Sequence, residues 1–157
     1  MPVLLFNGYN DWMVYTKAME ELQKQLRVFK NDGYSNFTTG AAHVWSLDSG
    51  TCKCGECAIK NSTPECCNVN NCGYDLSGDL FGRFYGKVAA PGTAQDKYYW
   101  VNQLEYLPNR SGQHQLEEYG FAYVPTGCEA DPDSCKVHVH YHGCMNRNWT
   151  ERLRWSN

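Results

Sequence analysis

The sequence predicts an α/β fold, and three stretches carry that reading. Val3-Leu4-Leu5-Phe6 is a short unbroken apolar run, as in strands buried on both faces of a parallel sheet. After the turn residues Asn7-Gly8-Tyr9-Asn10, the apolar residues Val14, Ala18, Leu22, Leu26 and Phe29 recur at helical spacing among Lys, Glu and Gln. Strand, turn and helix are half of a βαβ unit. Farther along, Tyr98 to Leu107 and Glu117 to Val124 read as partner strands around the polar turn Pro108 to Gln113.

In chain order, Asn31-Asp32-Gly33 stops the first helix, and Phe37 to Thr39 reads as the next strand. Gly40-Ala41-Ala42-His43 comes next as a loop. Asp11 then stands after one strand and His43 after the next, at the carboxyl edge where open α/β sheets place their chemistry. An Asp that orients a His, which takes a proton from a nucleophile, is part of a hydrolytic triad. The plainer alternatives are that Asp11 caps the helix after it and that His43 is an ordinary surface residue.

A net charge of −3 and the absence of a basic run give no sign of a nucleic-acid partner. No apolar stretch near the start is long enough to span a bilayer or form a signal peptide. Nine cysteines point outside the cytosol, as do Asn-x-Ser/Thr triplets at Asn36, Asn61, Asn109 and Asn148. Together they predict a secreted glycoprotein whose true beginning lies upstream of Met1.

Cys52, Cys54, Cys57, Cys66, Cys67 and Cys72 crowd one loop. Their spacing fits zinc thiolates, but many ligand sets can be drawn, and disulfides are the expectation in a chain with glycosylation signals. The pairing stays open. Such a block would brace the region after His43. Cys128 and Cys135 bracket a short Asp/Pro-rich loop and are read as a pair, which leaves Cys144 without a partner here. Cys135 to Cys144, CKVHVHYHGC, begins as a buried strand in which Val137, Val139 and Tyr141 alternate with His138, His140 and His142. Three imidazoles on one strand face suit zinc, yet a single strand rarely encloses an ion alone. No metal or other cofactor is expected.

Several segments resemble, in order, the poly(3-hydroxybutyrate) depolymerase-like serine esterases. LLFNGYNDWMV resembles the strand-and-Gly segment that ends on the triad Asp, and TTGAAHVWSLD the segment that carries the triad His. Asn71-Cys72-Gly73-Tyr74-Asp75, leading into a helix through Tyr85-Gly86, is similar to the family's next segment, and YGFAYVPTGC and CKVHVHYHGC are similar to later ones. Trp12 departs from the pattern, where a smaller polar residue is expected; it would crowd Asp11 or line a pocket. The resemblance implies a partial, circularly permuted α/β-hydrolase sheet with flanking helices and a Cys-rich loop. It makes Asp11 and His43 catalytic and the backbone amide of Cys144 an oxyanion donor, with His142 and Gly143 shaping the turn.

The nucleophile is missing. No Gly-x-Ser-x-Gly turn occurs, and Ser77 in Leu76-Ser77-Gly78 is only a near imitation. In the permuted order the Ser comes first, so this chain reads as an internal fragment. Residues 1–147 would be a partial esterase domain with a Cys-rich insertion at 50–72, and 148–157 a truncated or divergent tail. The implied function is part of a secreted carboxylic-ester hydrolase acting on polyhydroxyalkanoate or related esters, polymeric or small, with no membrane partner. The alternatives are a nonenzymatic cysteine-rich secreted binding module and a zinc-binding protein.

Overall fold

The amino-terminal apolar run does form a strand, and the helix after it brings a second strand alongside in parallel. In the computed structural model, which describes residues 2–29, 33–58, 65–87, 97–107 and 118–141, β1 is Leu4–Phe6, α1 is Thr16–Val28 and β2 is Tyr34–Asn36. Leu4 faces Tyr34, Leu5 faces Ser35 and Phe6 faces Asn36. Only Leu5 of β1 is fully buried; Leu4 and Phe6 are half-buried. The second strand thus lies three residues before the expected Phe37–Thr39. Asn7 N–H donates to Asn36 O at 3.1 Å and Tyr9 N–H to Thr39 O at 2.9 Å. The same neighbouring loop therefore holds 37–39 without strand geometry, and the β-favouring residue types there mark a loop clamped to β1.

The chain divides into two compact units, Met1–Val88 and Ala89–Asn157. The first unit holds a second parallel pair that periodicity does not reveal, β3 at Trp45–Leu47 and β4 at Val69–Asn71. Each is three residues long, too short for an alternation to register. The link between them is the cysteine loop. Cys52 pairs with Cys66, Cys54 with Cys72, and Cys57 with Cys67. Fully buried Asn70 holds that loop together: its Oδ1 accepts from Gly55 N–H at 3.0 Å, and its Nδ2 donates to Cys66 O at 2.7 Å. Gly55 has φ 75°, a left-handed conformation that a side chain rarely adopts.

Helix α2, Leu76–Tyr85, starts where Asp75 accepts from Gly78 N–H at 2.8 Å and ends at Gly86 with φ 80°. It docks through side chains at both ends. Tyr74 stacks on Phe6 of β1 with ring centroids 5.7 Å apart, and the Arg83 guanidinium lies 3.4 Å from the Tyr34 ring centre of β2. Trp45 Nε1 donates to Ser77 Oγ at 2.9 Å. Tyr74 also donates to Asp79 Oδ2 at 2.6 Å. Its partial burial, and then that hydrogen bond, push its pKa up to about 12. The fully buried set of the described residues mixes Leu5, Ala41, Ala42, Cys66 and Leu76 with Asn7, Asp11, Thr39, Ser46 and Asn70. So small an apolar core leaves much of the holding to hydrogen bonds and disulfides.

In the second unit β5, Lys97–Asn102, pairs antiparallel with β6, Tyr119–Val124. The expected strand to Leu107 ends early because Asn102 Oδ1 accepts from Leu104 N–H at 3.1 Å and turns the chain into a 3-10 helix, Gln103–Tyr106. Tyr98 and Trp100 stand opposite Tyr123 and Phe121 on one exposed face. A short helix α3, Thr126–Ala130, leads to Cys135, which pairs with Cys128. The expected buried strand in Cys135–His142 is corrected by the structure. Residues 135–141 carry no strand, and Val137, Val139 and Tyr141 are 85%, 60% and 86% exposed. Alternation marks a segment able to be a strand, but it does not supply the regular ladder with a neighbouring segment that makes one. No helix among them is long and apolar enough to cross a membrane.

Candidate active site

Asp11 lies in the turn after β1, and two backbone amides of that turn hold its carboxylate. Met13 N–H donates to Oδ1 at 2.9 Å and Val14 N–H at 2.8 Å. This is a turn closed by a side chain; the cap position of α1 belongs to Tyr15, whose side chain makes no capping bond. The capping alternative for Asp11 therefore does not describe its role. Oδ2 faces inward, where Asn7 Nδ2 donates at 3.1 Å and His43 Nδ1 lies at 2.9 Å. A carboxylate only accepts, so Nδ1 carries the proton and the lone pair of the neutral ring is on Nε2. The Asp11 side chain is 6% exposed and that of His43 is 49% exposed. His43 Nε2 has no partner among the described residues. One ring nitrogen is thus held by a buried carboxylate while the other is open to an incoming proton.

The loop that carries His43 is locked to the Asp11 turn through its backbone. Asn10 N–H donates to Ala41 O at 3.2 Å, and Asn10 Nδ2 to Gly40 O at 2.8 Å. A Cβ on Gly8 would lie 1.9 Å from Ala41 O, so only glycine allows the two segments to meet. A Cβ on Gly40 would lie 3.2 Å from Cys54 Sγ, and one on Gly55 2.9 Å from Asn10 Nδ2. The disulfide loop therefore packs on the loop just before His43.

Asn7, Gly8 and Asn10 build this site, although by sequence they read only as turn residues. The signal that would have found Asn7 is an Asn closing a buried strand four positions before a candidate acid, where an unpaired amide would be costly. Trp12 is largely exposed and leaves the Asp11 carboxylate uncrowded. Asn36 lies within β2, half-buried, with its Oδ1 accepting from Thr38 N–H at 3.1 Å and Thr38 Oγ at 2.9 Å. His142, Gly143, Cys144, Asn61, Asn109 and Asn148 lie outside the described residues. The zinc alternative loses its thiolates to the disulfides. Cys52, Glu56 and Cys66 are close enough to share an ion, but the two cysteines are bonded to each other.

No family model matches the chain. It is 27% identical over 146 residues to the polyhydroxybutyrate depolymerase of Talaromyces funiculosus, a match covering 91% of this chain and 41% of that protein. It is 30% identical over 152 residues to the poly(3-hydroxybutyrate) depolymerase of Delftia acidovorans, covering 90% of this chain and 28% of that one. The crystal structure of the PHB depolymerase from Penicillium funiculosum superposes with a TM-score of 0.62 at 26% identity, over 81% of this chain and 39% of that one. In sequence and in fold, then, this chain is similar to polyhydroxybutyrate depolymerases, and it spans less than half the length of each.

Proposed function

We propose that this chain is the Asp- and His-bearing part of a secreted serine ester hydrolase acting on polyhydroxyalkanoate or a related ester. The observation that carries the reading is the Asp11 Oδ2 to His43 Nδ1 contact of 2.9 Å with His43 Nε2 left open. The similarity to two depolymerases adds the substrate class, and the four disulfides fit an oxidising compartment.

In the proposed reaction a serine hydroxyl loses its proton to His43 Nε2 as its oxygen attacks the ester carbonyl. Asp11 holds the ring by Nδ1–H and stabilises the imidazolium that forms. His43 then returns the proton to the departing alkoxide, and water resolves the acyl-enzyme by the same two transfers. The nucleophile is not among these 157 residues in any Gly-x-Ser-x-Gly turn, and the Ser77 hydroxyl is already an acceptor for Trp45. We assign the serine to sequence outside this chain, and one oxyanion donor to the Cys144 amide.

The experiment compares p-nitrophenyl butyrate hydrolysis by the oxidised 157-residue chain and by the protein translated with the coding sequence upstream of Met1. The short chain stays at background; the longer one turns over and loses activity on His43→Ala or Asp11→Ala. Turnover by the short chain, or activity in the longer one that survives His43→Ala, refutes the reading.

A further inference from the structure

Asn7 is 4% exposed and every polar atom of its side chain is engaged. Its Nδ2 donates to Asp11 Oδ2 at 3.1 Å and to Val14 O at 2.9 Å, while its Oδ1 accepts from Thr16 Oγ at 2.9 Å. Its own backbone N–H donates to Asn36 O at 3.1 Å, tying it to β2. A flipped amide would set Oδ1 against two acceptors, so the network itself assigns which end is nitrogen.

We propose that Asn7 is a positioning residue for the Asp11–His43 relay, holding Asp11 Oδ2 so that its remaining acceptor direction faces His43 Nδ1. This rests on the hydrolytic reading given above. The geometry explains why the backbone amides of Met13 and Val14 are not enough. They bind Oδ1 and anchor the carboxylate, but donate nothing to Oδ2. The second oxygen is the one His43 uses, and Asn7 shares it. Because the same amide nitrogen also grips Val14 O, the turn that carries Asp11 and the carboxylate itself are set by one group. Aspartate at this position would keep the Thr16 contact and face Asp11 with an acceptor and a like charge. Leucine would keep the shape and offer no hydrogen bond.

The test reads the ring directly. The oxidised chain, labelled with 15N-histidine, is examined by NMR, and His43 is assigned by the signals lost in His43→Gln. The wild type shows the Nδ1–H tautomer with a downfield, exchange-protected Nδ1–H proton. In Asn7→Leu that protected proton is lost and the two tautomers mix. Thr16→Val, which removes a neighbour of Asn7 and leaves the donor in place, keeps the wild-type signature. If Asn7→Leu does not fold, Asn7→Asp is read the same way and loses the signature too. A folded Asn7→Leu or Asn7→Asp chain that retains the protected Nδ1–H tautomer overturns the proposal, as does its loss in Thr16→Val. Hydrolysis plays no part in this readout, so a failure of the esterase reading is separately visible in the ester assay.

Discussion

Replacing Gly8 with alanine drives a methyl group into the backbone that carries His43. The new carbon would sit 1.9 Å from Ala41 O, 2.5 Å from Ala41 C and 2.7 Å from Ala41 Cα. Ordinary contact begins near 3.4 Å, so the two segments must part by about 1.5 Å. Nothing soft lies in the way: Ala41 and Ala42 are fully buried, and the clash is with main chain. Three hydrogen bonds cross this seam, Tyr9 N–H to Thr39 O at 2.9 Å, Asn10 N–H to Ala41 O at 3.2 Å and Asn10 Nδ2 to Gly40 O at 2.8 Å. Adding about 1.5 Å takes each beyond bonding reach. At a net contribution of about 1 kcal/mol apiece, Gly8→Ala should cost about 3 kcal/mol. His43 comes two residues after Ala41 and should lose its hold on Asp11 in the same movement. Urea titration of the oxidised chain, followed by tryptophan fluorescence, measures the loss, and the His43 Nδ1–H signal reports the displacement. A variant within about 1 kcal/mol of wild type, with that signal intact, would refute the idea that these two backbones are locked.

Two further outcomes concern the same unit. Replacing Cys54 and Cys72 together by serine opens a bridge spanning 18 residues and should cost about 3 kcal/mol of stability, seen as a lower urea midpoint; an unchanged midpoint would remove the disulfide from the support of the Gly40 loop. The Tyr74 phenol, raised to about 12 by burial and by its bond to Asp79, stays protonated in the folded chain where the unfolded chain ionises near 10. Its contribution is present below the unfolded pKa and is lost as pH climbs from about 10 to about 12, so stability falls across that window. A spectrophotometric titration should show a late-ionising phenol that Asp79→Asn moves earlier. Ionisation of all the phenols in a single early step would contradict the structure.

Much of the local structure is legible from residue types. The apolar run before Asn7 and the helical spacing from Val14 to Phe29 each appear close to where pattern places them, and the Asp75-to-Gly86 helix where the family resemblance places it. Helix and turn signals are local, because capping and left-handed glycines act within a few residues. Strands are less legible. Phe37–Thr39 has the composition of a strand but is clamped as a loop, Trp45–Leu47 and Val69–Asn71 are too short to show a pattern, and 135–141 alternates without being a strand. A ladder depends on a partner distant in sequence, which no window of residues contains.

The candidate site divides along the same line. Residue order is enough to place an acid and an imidazole after successive strands, to crowd cysteines into the loop between His43 and α2, and to rule out a Gly-x-Ser-x-Gly turn in these residues. Folding was needed to bring Asp11 within 2.9 Å of His43, to set Asn7 on the same oxygen, to choose which cysteines pair and to require a bare Gly8. The cause is distance along the chain. Composition and spacing report what a residue can do to its near neighbours, whereas a hydrogen bond across 32 residues exists only once backbone packing has offset the entropy of bringing its two ends together.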